Sequence, residues 1–361
     1  MTTDERLSLL AASSTTFEAH TGPFDRRGLE ELLILELGAV DALDTPRPHG
    51  AGLRIARPPK RILHVVSSNT PHAAFQSLLR GLLVGAPNHI KLPSRGLPAF
   101  EDALPVLPPK LRDTLTVSRE LPDDWDRAPG VVIVYGNDDT IDWFCRRIPP
   151  HIRFIPHGQR LSIGLVIGDP LEAARLAARD VSLHDQQGCL STHAVYVTPD
   201  SGFTPHAFAG LLADQLDAFN LQQRRSPLTD SEAGAITTLR ETVRFLAASC
   251  PDDFGLWECT DGTDWTVIME SDPLLKASPL NRVVYVKPWP ETDPVKALGP
   301  ELRHLACLAI HPVPAPDSLA PYIATGPSRI CAMGDTQFPP LTWHQDGIPP
   351  IASLVSWTDI G

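Results

Sequence analysis

Short apolar runs closed by polar turns recur along this chain, separated by stretches with helical spacing. Arg61-Ile-Leu-His-Val-Val66 is the first such run and ends in Ser67-Ser-Asn-Thr-Pro71. It predicts a buried strand and then a turn. Pro71 suits the first turn of a helix. Ala74, Phe75, Leu78, Leu79, Leu82 and Leu83 then share one helical face, and Gly85 stops it. Asn88–Ser94 predicts a strand cut short by Pro93, and Thr114–Ser118 and Val131–Tyr135 predict two more. Gly136-Asn-Asp-Asp-Thr140 reads as a turn with a cap for a helix over Ile141–Arg147. Arg153–Pro156 and Leu161–Ile167 predict further strands around His157-Gly158.

Strands alternating with helices predict an open, mostly parallel sheet. Ligands of such sheets bind beyond the carboxyl ends of the strands. The polar turns Ser67–Pro71, Lys91–Ser94 and Gly136–Asp139 fall at such ends, which argues for a cofactor site. The second half repeats the alternation. Asp169–Asp180, Thr204–Phe219, Thr229–Ala248 and Pro300–Ile310 predict helices, whereas Ala194–Val197, Asn281–Val286 and Arg329–Met333 predict strands. Gly255–Glu258 and Trp265–Glu270 suit a hairpin, and Arg27–Leu43 a helix in an otherwise weakly patterned stretch up to residue 57. The expected organisation is a cofactor-binding domain over 1–165, to which about 335–361 returns, and a catalytic domain over 166–334. The expected site is a cleft between them.

Composition narrows the class. A length of 361 residues suits two domains, and 42% hydrophobic with 20% charged residues fits a globular protein. A net charge of −12 lacks the basic footprint of a nucleic-acid binder. No run approaches the roughly 18 apolar residues of a membrane span, and the start Met-Thr-Thr-Asp-Glu-Arg does not read as a signal peptide. Six scattered cysteines without a C-x-x-C pair point to reduced thiols in the cytoplasm and to no metal site.

Among these cysteines Cys189 stands apart, because Gly188 precedes it between a predicted helix and a predicted strand. A glycine there lets the backbone pass close to a neighbour. Taken alone, a small buried thiol is the plainer reading. No G-x-G-x-x-G, phosphate loop or G-x-S-x-G occurs. What remains is a thiol, the amide of Asn69 and the strand-end Lys91, a set that suits acyl transfer. A thiolate attacks an activated acyl carbon, and an amide with a backbone N–H can hold the oxyanion.

Several blocks in order resemble the acyl-CoA reductases of the bioluminescence fatty-acid reductase type, within the aldehyde dehydrogenase superfamily. They are Asn69-Thr-Pro71, Ile90-Lys-Leu-Pro-Ser94, Tyr135-Gly-Asn-Asp-Asp139, His157-Gly-Gln-Arg-Leu-Ser162 and Asp185-Gln-Gln-Gly-Cys-Leu-Ser191. Gly326-Pro-Ser-Arg-Ile330 and Trp343-His-Gln-Asp-Gly347 extend the likeness toward the C-terminus. The resemblance implies an aldehyde-dehydrogenase-like α/β fold. It implies Cys189 as the acylated nucleophile and Asn69 as the oxyanion donor. Lys91 and Ser94 would receive the adenosine ribose, and Gly136 and Asn137 would form the second cofactor turn, where the superfamily commonly has Gly-Ser. Ser68 joins the cofactor set. The superfamily's general-base Glu is missing from Ile155-Pro-His-Gly-Gln-Arg160, which fits a reductase that must not hydrolyse its acyl-enzyme.

The resulting expectation is an oxidoreductase that uses NADPH, with NADH as the alternative, to reduce an acyl-CoA thioester to an aldehyde. An acyl-protein reductase or aldehyde dehydrogenase of the same fold is the runner-up, and a non-catalytic acyl- or nucleotide-binding subunit the alternative of another class. The resemblance also implies a homo-oligomer, with a larger reductase complex as a further arrangement.

Overall fold

The computed structural model describes residues 1–361, which form two units, Met1–Gln159 with Phe338–Gly361, and Arg160–Gln337. In the first, helices α1 (Thr3–Ala12), α2 (Ser14–Thr21) and α3 (Arg26–Leu37) precede a short antiparallel pair, β1 (Arg47–His49) and β2 (Gly52–Arg57). The C-terminal strand Ser356–Ile360 pairs with β2 and completes a three-stranded sheet. Only α3 of these elements matches an expected one. The others are short, and their apolar residues are too few to set a period.

The apolar runs that follow become β3 (Ile62–Val65), β4 (Asn88–Lys91), β5 (Leu115–Ser118), β6 (Val131–Tyr135) and β7 (Arg153–His157). They form one parallel sheet in the order β5-β4-β3-β6-β7. From β3 the chain steps outward through β4 to β5, then returns to the other side of β3. This reversal is the switch point at which such sheets bind ligands. Helix α4 (His72–Val84) joins β3 to β4 and buries Phe75, Leu78, Leu79, Leu82 and Leu83, with Leu7, Leu29 and Leu33 in the same core. Short helices α5 (Pro98–Ala103) and α6 (Pro109–Arg112) lead to β5, and α7 (Asp138–Cys145) follows β6. Pro156 lies in β7, which is an edge strand. A proline is tolerated there because a strand edge leaves N–H groups unpaired.

The C-terminal segment is tied into this unit by polar contacts. Glu36 accepts hydrogen bonds from the N–H groups of Ile351 and Ala352, and its other oxygen lies 2.9 Å from His344 Nε2. His157 Nδ1 lies 2.6 Å from Asp346 Oδ2, and the His157 ring stacks on Tyr135.

The second unit holds β8 (Leu161–Val166), α8 (Pro170–Ser182), β9 (Thr192–Val197), α9 (Pro205–Gln222), α10 (Asp230–Ser249), β10 (Phe254–Glu258), β11 (Thr266–Glu270), β12 (Val283–Pro288), β13 (Leu305–His311) and β14 (Arg329–Ala332). Its seven strands run β10-β11-β12-β9-β8-β13-β14, and only β10 is antiparallel. Two expectations are corrected here. The strand at 161–167, assigned to the first domain, is β8, in the middle of the second sheet between β9 and β13. Pro300–Ile310 is not a helix. A single 3₁₀ turn over Pro300–His304 leads into β13, whose first six residues are buried. A short apolar run buried on both faces has no alternation to reveal it as a strand. No helix is long and apolar enough to cross a membrane.

Candidate functional site

The three polar turns follow β3, β4 and β6, neighbours in the first sheet, so they gather along one carboxyl edge. Ser68, Asn69 and Ser94 are exposed, and Lys91 is half-buried at the end of β4. Asn137 caps α7, its Oδ1 accepting from Thr140 N at 3.0 Å and from Thr140 Oγ1 at 2.6 Å. Gly136 is required by the same turn, since a Cβ there would meet the Thr140 side chain at 2.8 Å. Lys91 and the exposed hydroxyls of Ser68 and Ser94 stand at the switch point and fit the phosphates and riboses of a dinucleotide, whereas the first turn of α7 carries Asp138 and Asp139 and offers no anion site.

One residue of this edge escaped the sequence reading. Arg119, directly after β5, donates to Ser94 O at 3.4 Å and to Glu101 Oε2 at 3.0 Å. With Lys91 and exposed Arg95, it brings three cationic side chains to the ends of β4 and β5, one of them paired with Glu101. The signal was present, because Arg119 follows a predicted strand just as Lys91 ends one.

Cys189 lies in the second unit, on a turn between α8 and β9, and its side chain is exposed. The turn is at the amino end of β9. The carboxyl-end rule therefore places the first-unit turns but not the thiol. A helix that leads into a parallel strand must deliver the chain to that strand's start. The turn is held by Ser191 N to Gly188 O at 3.0 Å and Gly188 N to Ser191 Oγ at 3.1 Å. Gln337 Nε2 donates to the same Ser191 Oγ at 3.1 Å. Gly188 is where the chain passes close to a neighbour, since a Cβ would meet Gln337 Oε1 at 2.7 Å.

A buried carboxylate holds the segment just before Gln337. Asp180, in α8, accepts from Gly334 N at 2.7 Å, Thr336 N at 3.2 Å and Thr336 Oγ1 at 2.9 Å. It thereby fixes the segment that presents Gln337. Burial pushes the Asp180 carboxyl up to about 6, against the pull of its donors. Nothing in the spacing of the sequence marks Asp180 or Gln337, because their partners are about 150 residues apart in sequence.

These features define a class before any comparison. A five-stranded parallel sheet with polar turns along one carboxyl edge, followed by an α/β unit that carries an exposed thiol, is the plan of the aldehyde dehydrogenases. Solved structures agree. A benzaldehyde dehydrogenase from Corynebacterium glutamicum superposes with TM-score 0.65 at 13% identity, covering 100% of this chain and 86% of that one. Aldehyde dehydrogenase 21 from Physcomitrella patens gives 0.67 at 12%, with 100% and 86% covered. At such identity the likeness establishes the fold.

The family follows from sequence. The profile of the acyl-CoA reductase (LuxC) family matches residues 4–357, and the chain belongs to that family. Long-chain acyl-protein thioester reductases are similar to it. That of Aliivibrio fischeri is 26% identical over 72% of this chain and 55% of its own length, and that of Vibrio harveyi 26% over 75% and 57%. That of Photorhabdus luminescens is 24% identical over 91% and 70%. The match to the first two thus spans little more than half of their length.

Proposed function

We propose that this chain reduces a long-chain acyl thioester to an aldehyde, with Cys189 as the acyl-accepting nucleophile. The observation that carries the reading is the exposed Cys189 on a turn pinned by Ser191 and Gln337, inside the Asp-Gln-Gln-x-Cys-Leu-Ser block of a family of acyl reductases. The names of the relatives favour a protein-bound thioester as the acyl donor, ahead of the acyl-CoA that the sequence put first.

The Cys189 thiolate attacks the carbonyl carbon of the thioester. A new C–S bond forms, the carrier's C–S bond breaks, and the carrier thiolate leaves and takes up a proton. Asn69 and the Cys189 N–H are assigned to the oxyanion; one such donor is worth about 10²–10³ in rate. Ser68, Lys91, Ser94, Gly136 and Asn137 would hold the nicotinamide dinucleotide. That group, when bound, would supply the hydride to the acyl carbon; the C–S bond to Cys189 then breaks, the aldehyde leaves and the Cys189 thiolate is restored. Lys91, Arg95 and Arg119 at the ends of β4 and β5 could meet a 2′-phosphate, which supports NADPH over NADH. Pro156 stands in the strand where the superfamily carries its Glu base, so that strand offers no carboxylate to activate water against the acyl-enzyme. This counts against aldehyde oxidation as the main reaction. The family resemblance adds a cytoplasmic homo-oligomer, with a larger reductase complex as a further arrangement.

The test is to incubate the full chain with a long-chain acyl-CoA and, separately, an acyl-protein thioester, and to seek an acyl adduct on the Cys189 peptide by mass. Cys189→Ala should lose both adduct and turnover. An unmodified Cys189 with turnover intact sinks the mechanism.

A further inference from the structure

Two runs of left-handed backbone meet in the second unit, and neither contains glycine. His184, Asp185 and Gln186 have φ of 54°, 51° and 63°, and Leu280, Asn281 and Arg282 have φ of 65°, 57° and 65°. Asp, Asn and His tolerate this region, but Gln186, Leu280 and Arg282 are strained in it, and runs of three persist only where the surroundings over-determine them.

Here they do. Arg282 donates to Asp185 Oδ1 at 2.6 Å, and Gln187 Nε2 donates to Asn281 Oδ1 at 2.9 Å. Gln186 bridges Val283 through both amide atoms, accepting from its N–H at 3.0 Å and donating to its carbonyl at 2.9 Å. The same Gln186 Nε2 donates to Thr192 O at 2.7 Å, so one side chain closes the loop that contains Cys189. Arg282 is 1% exposed. Its Nη1 donates to Asn220 Oδ1 at 3.1 Å and Gln223 O at 3.0 Å, while Asp185 Oδ2 accepts from Ser226 N at 3.0 Å. The ion pair thus anchors both runs to the end of α9.

The first run ends three residues before Cys189, and every residue from Asp185 to Gly188 is bonded through side chain or backbone. Stored strain next to a reactive group fixes direction when the clamp holds and relaxes when it opens. We propose that Arg282 is a positioning residue for Cys189: its ion pair with Asp185 locks the two left-handed runs, and the runs set the direction in which the thiol leaves the backbone. This rests on the reading of Cys189 as the nucleophile.

The experiment is alkylation of the full chain by iodoacetamide across roughly pH 6–9, read at each cysteine by peptide mass. Exposed Cys250, in the same unit, is the internal standard. Arg282→Gln is expected to slow Cys189 about tenfold or to move the midpoint of its pH profile, with Cys250 unchanged. Arg282→Lys keeps the charge and is expected to recover part of the loss. A Cys189 profile that matches wild type in Arg282→Gln overturns the proposal. If that variant unfolds, buried Cys259 and Cys307 become labelled. Gln187→Ala, which removes one bond, then carries the test under the same two outcomes. A wild-type Cys189 no faster than Cys250 and inert to acyl thioesters sinks the nucleophile reading instead. The clamp is then judged by the shift in Arg282→Gln alone.

Discussion

Asp180 and Thr336 meet through two hydrogen bonds in the second unit, one from the backbone N–H at 3.2 Å and one from Oγ1 at 2.9 Å, both to the same carboxylate oxygen. The contact couples the helix before Cys189 to the segment that carries Gln337. Asp180→Ala leaves buried donors without an acceptor and should cost about 2–3 kcal/mol in urea unfolding. The sign with pH follows from the raised carboxyl. A folded-state value of about 6 lies above the unfolded value, so this group's stabilising share is greatest at low pH and is lost as pH rises through 6. The cost of Asp180→Ala should therefore be larger at pH 5 than at pH 8. An equal or reversed difference contradicts this account.

Asn137 separates capping from family identity. Asn137→Ser, the residue common in the superfamily, retains a cap for Thr140 N and should preserve both nucleotide affinity and stability. Asn137→Ala should cost about 1 kcal/mol. Gly136→Ala forces Cβ against Thr140 and should weaken nucleotide binding, measured by calorimetry, more than either.

Arg119 should govern the choice of nucleotide. It is 51% exposed in its pair with Glu101, so its loss costs the fold about 0–1 kcal/mol. Arg119→Ala should raise the KM for NADPH about tenfold and leave that for NADH nearly unchanged. Equal effects on both would remove Arg119 from the specificity argument.

Two buried histidines should set the acid limb of stability. His64 sits between Ser77 Oγ at 2.7 Å and Asn88 Oδ1 at 2.9 Å, and burial lowers it to about 4. His193, bonded to Ser278, is likewise lowered to about 4 by burial. Unfolded histidine takes up a proton near pH 6.5, before the folded state does, so the stability these groups confer is present above that pH and is lost as pH falls toward 4. The loss should be on the order of 2–3 kcal/mol for each. Denaturant midpoints at stepped pH should show it, and His64→Gln should flatten the slope. A slope that survives unchanged assigns the loss to other groups.

The sequence by itself determined the parallel strands of the first sheet, the turns that end them, and the block that holds Cys189. Each is a local pattern: an apolar run, a proline or glycine stop, a polar turn. That is why Ser68, Lys91 and Gly136 could be placed at strand ends before any fold was known. Tertiary structure decided where strands belong and what supports the thiol. β8 and β13 are both buried on two faces, so nothing in their composition says which sheet they join or, for β13, that it is a strand at all. Arg282 and Asp185 are 97 residues apart in sequence, and Asp180 and Thr336 are 156 apart. A buried charged or polar group is stable only with its partner in place, and it is the fold that brings each pair together.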